Sequence, residues 1–393
     1  MSGSHRREYS GPAVLSFGFR PFFLIASIYA GVSVLLWLPL MMGHLQISST
    51  FAPVDWHIHE MLFGFATAVV CGFLFTAVPN WTGRMPVNGM PLLMMVMLWV
   101  IGRIAVTYSA HIGWVTAMAI DCLFLFSLWV VIAREIIKGK NWKNFKILIP
   151  LSILLGSNIL FHLEANIGGI ADYSKRMAIS AVIVFILLIG GRIIPSFTRN
   201  WLVKFNPGRL PAPFGLFEKV NLAFSVFAMG CWIVLPEHSF VGFSFCLTAA
   251  LLFVQLGRWA GERTIREPLV LVLHISYMFI PIGFLLLGLS LFFPFTILPA
   301  TGVHALGIGA VGGMILSVMM RATKGHTGND LTMKSTDCLI YFALVISAVT
   351  RIISALFPDE FSFLLTFSGL LWAAAFFGFS LVYGSCLMKP KQP

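Results

Sequence analysis

The chain has 393 residues, of which 58% are hydrophobic, 14% aromatic and 10% charged, with a mean hydropathy of +0.90. A soluble domain typically carries about 25% charged and 45–50% apolar residues, so this composition excludes a cytosolic enzyme, a secreted disulfide scaffold and a disordered tail protein. The formal net charge of +11 reads as loop charge that orients a membrane protein, not as a nucleic-acid surface.

The first 16 residues are polar and basic without a cleavable signal pattern, so the first apolar run reads as a retained span. Apolar runs follow one another at about 17–42, 57–81, 89–109, 114–137, 145–168, 176–198, 217–236, 240–261, 268–292, 301–325, 335–357 and 361–388. Each is long enough to cross about 30 Å of hydrocarbon as a helix. The expected fold is therefore an all-α polytopic membrane protein of about twelve transmembrane helices, forming a single membrane domain over 1–393. The longest connection, Arg199 to Glu218, carries Pro207, Gly208, Pro211 and Pro213 and reads as a surface loop. None of the six cysteines forms a C-x-x-C pair, so neither a zinc ribbon nor a disulfide framework is indicated.

Charge predicts the orientation. Of the 26 Lys and Arg residues, 21 fall at the start of the chain (Arg6, Arg7 and Arg20), in even-numbered loops or at the end (Lys389 and Lys391). The odd-numbered loops hold only Lys175 and Arg176. This alternation predicts both termini in the cytoplasm.

The chain also repeats itself. A shift of 245 residues superposes Thr82 on Thr327, Gly64 on Gly309 and His59 on His304, and a shift of 116 superposes Thr82 on Thr198. These matches predict three four-helix units at roughly 17–140, 141–262 and 263–390, whereas many transporters are built from two repeats.

The topology brings several histidines to one depth. His57 and His59 begin span 2, His304 begins span 10 and His162 ends span 5, all toward the outer leaflet. Neutral imidazole is the commonest metal ligand, and bundles build cofactor sites from inward side chains on facing helices. The alternative is a set of interfacial histidines satisfied by backbone and water. Residues two apart on an α-helix point about 200° apart, so His57 and His59 cannot serve one site without local unwinding. His59 is the better ligand candidate because the repeat equates it with His304.

Glu60, Asp121 and Glu164 are acidic residues inside spans, where burial is costly and usually functional. They are expected to make a proton path or to hydrogen-bond ligand imidazoles. Arg103 and Arg351 suit carboxylates, either in plain ion pairs or as partners of haem propionates. The glycines of spans 2 and 10 suit close packing or a flat macrocycle. Met90, Met94, Met95 and Met97 read as gap-filling packing rather than a copper site. Arg84, Arg192, Arg321 and His326 read as solvated charge at cytoplasmic helix ends, with His326 a reserve ligand. His274 reads as a satisfied core histidine and is likewise a reserve.

Four separated motifs resemble the NnrS family: the run Phe17 to Phe23, Trp56-His57-Ile58-His59-Glu60-Met61 with Gly64, the ending Pro79 to Arg84, and Gly325-His326-Thr327-Gly328. The resemblance covers nearly the whole chain. It implies a bacterial inner-membrane protein that carries haem b and copper and is linked to nitric oxide metabolism and nitrosative stress tolerance. A weaker resemblance is to the large subunit of haem-copper oxidases and nitric oxide reductases, whose second and tenth helices bind a haem. It implies His59 and His304 as axial ligands of one haem. Spans 6 and 7 lack histidine, so copper would need other ligands, such as His57, His162 or Glu164.

Three functions compete on this reading. The first is a nitric-oxide-handling oxidoreductase with an unknown electron donor. The second is a twelve-helix secondary transporter. The third is a non-catalytic sensor or carrier of haem or metal.

Overall fold

A computed structural model describes residues 9–357 and 361–390, and among them every regular element is helical. Arg6, Arg7 and Lys391 lie outside the described residues. Among the described residues, twelve helices are long and apolar enough to cross a membrane: α1 Phe19–Met41, α2 Pro53–Thr82, α3 Gly89–Thr107, α4 Trp114–Lys138, α5 Trp142–Gly168, α6 Tyr173–Phe205, α7 Leu216–Val234, α8 Ser239–Arg258, α9 Pro268–Phe292, α10 Pro299–Thr327, α11 Ser335–Ser354 and α12 Phe361–Met388.

The apolar runs and the helices correspond one to one, and the differences lie at the ends. Pro53 starts α2 four residues before the run at 57, because proline is preorganised for the first helical position and needs no backbone partner there. Pro268 and Pro299 start α9 and α10 in the same way. Gly83 ends α2 with φ +69°, a conformation that glycine adopts without strain. Helix α6 continues to Phe205 past the expected end at 198; its charged last turns carry no hydropathy signal although they remain helical.

Three spans contain a π-helical stretch: Glu60–Ala66 in α2, Glu164–Gly168 in α5 and Ala305–Gly312 in α10. Such stretches disturb the backbone ladder and occur frequently at functional sites. In α2 the Gly64 carbonyl is taken up by the Trp99 indole N–H at 2.9 Å.

The chain forms two compact units. The first comprises residues up to 178 together with 326–329 and 380–393. In it α1 packs on α2, α4 packs on α2 and α3, and α5 packs on α4. Its core is aromatic, with Phe22, Phe23, Phe63, Phe75, Phe124 and Phe161 fully buried. Arg20, counted above as an orienting charge, is buried, and its Nη1 donates to the carbonyls of Cys386, Leu387 and Lys389 at 3.1, 3.1 and 2.6 Å. It thus satisfies the open C-terminal carbonyls of α12 and opposes that helix's dipole.

The second unit comprises 179–325 and 330–379. Helix α9 packs between α8 and α10, and small residues set the distances. A Cβ at Gly288 would lie 2.9 Å from the Gly242 carbonyl, and one at Gly302 would lie 2.8 Å from the Gly283 carbonyl. Gly309, Gly312 and Gly313 are likewise filled by Phe279, Trp372 and Ser276. Of the glycines of α10, Gly307 alone has no atom within 4 Å of a Cβ position. The glycine face therefore serves packing, with room left beside Gly307. The methionines of α3 depart from expectation: Met95 is buried, whereas Met90, Met94 and Met97 face outward, because they occupy the face of α3 that no helix of the unit covers.

Candidate metal centre

Helices α2, α3, α4 and α5 converge on a polar cluster inside the aromatic core of the first unit. His59, Glu60, Asp121, Asn158 and His162 are each 1% exposed or less, and Arg103 is 5% exposed. His59 lies six residues in from the start of α2, and His162 lies six from the end of α5, about 9 Å along each helix. Two of the histidines expected at a common depth therefore meet.

Asp121 is the hub. Its Oδ1 accepts from Arg103 Nη2. Its Oδ2 accepts from Asn158 Nδ2 at 2.8 Å, and it faces His59 Nε2 at 3.2 Å and His162 Nε2 at 3.3 Å. Glu60 forms the second layer. Its Oε2 accepts from Arg103 Nη1 at 2.8 Å and from the Tyr29 hydroxyl, and its Oε1 lies 3.0 Å from His59 Nδ1. Gly64 completes the layer: a Cβ there would stand 2.8 Å from Glu60 Oε2 and 3.0 Å from Arg103 Nη1.

These contacts call for a positive charge at His59, which a proton or a metal ion supplies. Glu60 is an acceptor, so His59 Nδ1 carries the proton that joins them. Asn158 donates its amide N–H to Asp121, which turns its Oδ1 toward His59 Nε2 at 3.0 Å. His59 Nε2 therefore faces two oxygens, and lone pairs confront one another unless a proton or a metal ion lies between them. The formal charges agree, since two buried carboxylates surround one guanidinium. The ligand atoms of His59, Asp121 and His162 all lie within 4.8 Å of one another. Ligands about 2.0–2.1 Å from a tetrahedral ion stand about 3.3 Å apart, which is the spacing of both imidazoles from Asp121 Oδ2.

The other residues singled out from sequence lie elsewhere. His57 points away from the cluster and stacks on Trp37, with ring centroids 4.1 Å apart. Glu164 accepts the backbone N–H groups of Asp172, Tyr173 and Ser174 at 3.0, 3.2 and 3.0 Å, and the Ser174 hydroxyl at 2.5 Å. It thereby satisfies the first turn of α6. Asp172 beside it is pushed up by partial burial, but its bonds to Lys175 and Arg176 prevail and hold it below the usual carboxylate range. In the second unit, His304 is half-buried and its Nδ1 lies 2.7 Å from the Ala300 carbonyl. His274 Nε2 bonds the Thr198 hydroxyl at 2.8 Å and its ring fills the space over Gly261, the satisfied core histidine expected. His326 stacks near Phe19 in the first unit. Arg351 is buried, bonds Ser354 Oγ at 2.9 Å and lies over the Phe361 ring. Among the described residues no carboxylate pairs with it. Arg84 pairs with Glu135, and Arg321 lies over the Phe197 ring, so neither is merely solvated.

Sequence reasoning missed Asn158, Tyr29 and Trp99. Asn158 carried a readable signal: an amide one helical turn before His162 in an otherwise apolar run. Tyr29 and Trp99 carried none, because aromatic residues are ordinary in spans.

A family model described as NnrS protein matches residues 13–391. The chain belongs to the NnrS family. No curated protein matches it, and the weaker likeness to the haem-copper oxidase large subunit is not borne out. This NnrS-family chain is thus a multi-pass membrane protein whose first unit holds a buried His/Asp/His cluster suited to a metal ion.

Proposed function

We propose that this protein is a redox-active protein of the bacterial inner membrane, acting in nitric oxide metabolism and tolerance of nitrosative stress. On this reading a transition-metal ion, copper by the family resemblance, is held by His59, Asp121 and His162, and haem b is held by His304. The observation that carries the reading is His59 Nε2, which faces only the oxygens of Asn158 and Asp121. Two imidazoles and one carboxylate suit copper, iron or zinc.

Both ring nitrogens of His59 are engaged within its own cluster, so the reading assigns the ion to His59 and the haem to His304. The Nδ1 bond to Ala300 makes Nε2 the lone-pair nitrogen of His304, the tautomer of a metal-bound imidazole. The open side of Gly307, one helical turn away, suits a flat group. Arg351 suits an acidic group such as a propionate. The repeat also supports equating the two histidines: π-helix begins at Glu60 and at Ala305, each immediately after its histidine.

Bound haem and copper would supply one-electron chemistry. The chain's own residues do the rest. Glu60 fixes the His59 ring and tautomer, Asn158 orients Asp121, and Arg103 offsets the carboxylate charge. Phe63 and Phe161 exclude water, each with its ring 5.0–5.3 Å from His59. The charge bias supports both termini in the cytoplasm and, with them, the cluster toward the periplasmic leaflet. Partners are membrane lipid, a small gaseous substrate and a separate electron donor, with no nucleic acid. The test is an anaerobic optical spectrum of purified protein, oxidised and reduced, before and after nitric oxide. A Soret band lost in His304→Ala, together with a nitric-oxide-dependent shift in the wild type, is expected. A wild type that binds neither haem nor copper would overturn the reading and leave a transporter.

A further inference from the structure

The ion site is enclosed, and its walls are not equivalent. Phe63 and Phe161 belong to α2 and α5, and both are fully buried in helices. The third ring, Phe51, sits in the loop that joins α1 to α2, two residues before Pro53 starts the helix. It is only 6% exposed. Its centroid lies 5.1 Å from the His59 ring and 5.0 Å from the His162 ring, with the same 47° tilt to each. Phe51 therefore bridges the two imidazoles on the side of the cluster that faces the loops.

The loop that carries it is strapped down. The Thr50 backbone N–H donates to Ser109 Oγ at 2.8 Å, and the Ala110 N–H donates to the Ser48 carbonyl at 2.8 Å. Ser109 is itself 2% exposed and donates to the Val106 carbonyl at 2.9 Å. The Ser49 and Thr50 hydroxyls also lie 3.3 and 3.2 Å from Ser109 Oγ, so one buried serine gathers most of the bonds that hold the strap, whereas Phe63 and Phe161 are carried on transmembrane helices. Such backbone bonds in a loop open far more readily than helical ones.

We propose that Phe51 is the stopper of the His59–Asp121–His162 site: its ring governs the entry of the ion and of small ligands from the loop side, and Ser109 pins the strap that holds it. The proposal rests on the reading that this cluster takes a cation. It makes Phe51 a selectivity residue. A ligand of one or two atoms passes with a small swing of the ring, and a bulky one waits for the strap to release.

The test measures access without requiring the ion. Metal-free wild type, Phe51→Ala, Phe51→Leu and Ser109→Ala are treated with diethyl pyrocarbonate, and carbethoxylation of each histidine is timed by mass spectrometry. Phe51→Ala is expected to accelerate modification of His59 and His162 at least tenfold, with smaller gains in Phe51→Leu and Ser109→Ala. His274, in the other unit, serves as the internal control and keeps its rate. Unchanged rates at His59 and His162 overturn the proposal, and so does an equal gain at His274, which reports general loosening. Copper content after loading is measured on the same samples. No bound copper with accelerated modification sinks the cation reading and upholds the stopper; one copper per chain with unchanged modification does the reverse.

Discussion

Replacing Arg103 by methionine removes the one guanidinium that bridges Glu60 and Asp121 while keeping the length of the side chain. Both carboxylates are 1% exposed or less, so neither gains water when the partner goes. Breaking a buried ion pair from one side costs about 3–5 kcal/mol because a charge is left uncompensated. Glu60 keeps the Tyr29 hydroxyl and His59, and Asp121 keeps Asn158; these hold the loss to that range rather than to twice it. Arg103→Lys costs less than Arg103→Met but is not neutral, since an ammonium keeps the charge and cannot fork to two carboxylates. If charge is the cause, Glu60→Gln in the Arg103→Met background recovers about 1–3 kcal/mol, a coupling typical of contacting residues. Unfolding in mixed micelles with rising dodecyl sulfate, followed by far-ultraviolet circular dichroism, measures each term. A loss below about 1 kcal/mol for Arg103→Met, or strict additivity in the double variant, would show that the buried carboxylates do not depend on the guanidinium.

Gly64→Ala forces a methyl against Glu60 and Arg103 and is expected to cost about 1–3 kcal/mol in the same titration. Glu164→Ala removes the acceptor from the first turn of α6 and should cost about 1–2 kcal/mol, with copper content unchanged; a lost ion would return Glu164 to the site. Lys324→Met leaves Asp337, 2.8 Å from Nζ in the second unit, buried without its cation, and is expected to cost about 3–5 kcal/mol. Asp172 has its folded-state pKa held below the ordinary value, so its contribution is present above that ordinary value and lost as pH falls through the depressed one. Because Asp172 is half-exposed, Asp172→Asn is expected to change stability only slightly at neutral pH and not at all in strong acid; a large loss that persists in acid would contradict the ion-pair account.

The helices were legible because lipid imposes a simple rule: every span needs an apolar run of fixed minimum length. The depth of His59 and His162 followed from counting crossings, and their opposite neighbour, His57, followed from helical periodicity. The partners that were not legible share a different cause. Glu164 was expected on a proton path or beside ligand imidazoles, but the turn after α5 folds back so that its carboxylate meets the α6 backbone, which no spacing rule reveals. Arg20 read as an orienting charge, although its partners are carbonyls at the far end of the chain. Arg103 was recognisable as buried and in need of acids, and of the two expectations, plain ion pairs or haem propionates, it makes the ion pairs, with Asp121 and Glu60. Arg351 carried the same signal but no carboxylate among the described residues. Phe51 was invisible, since one phenylalanine in a loop gains meaning only when two imidazoles lie beneath it.

The proposed function stands on a cation in the space shared by His59, Asp121 and His162. Its most direct test is copper analysis with electron paramagnetic resonance on the purified, copper-loaded protein, beside His59→Ala and His162→Ala. One tightly held copper per chain, two strongly coupled imidazole nitrogens, and loss of that signal in either variant are expected. Copper retained with an unchanged spectrum in both variants would contradict the proposed function.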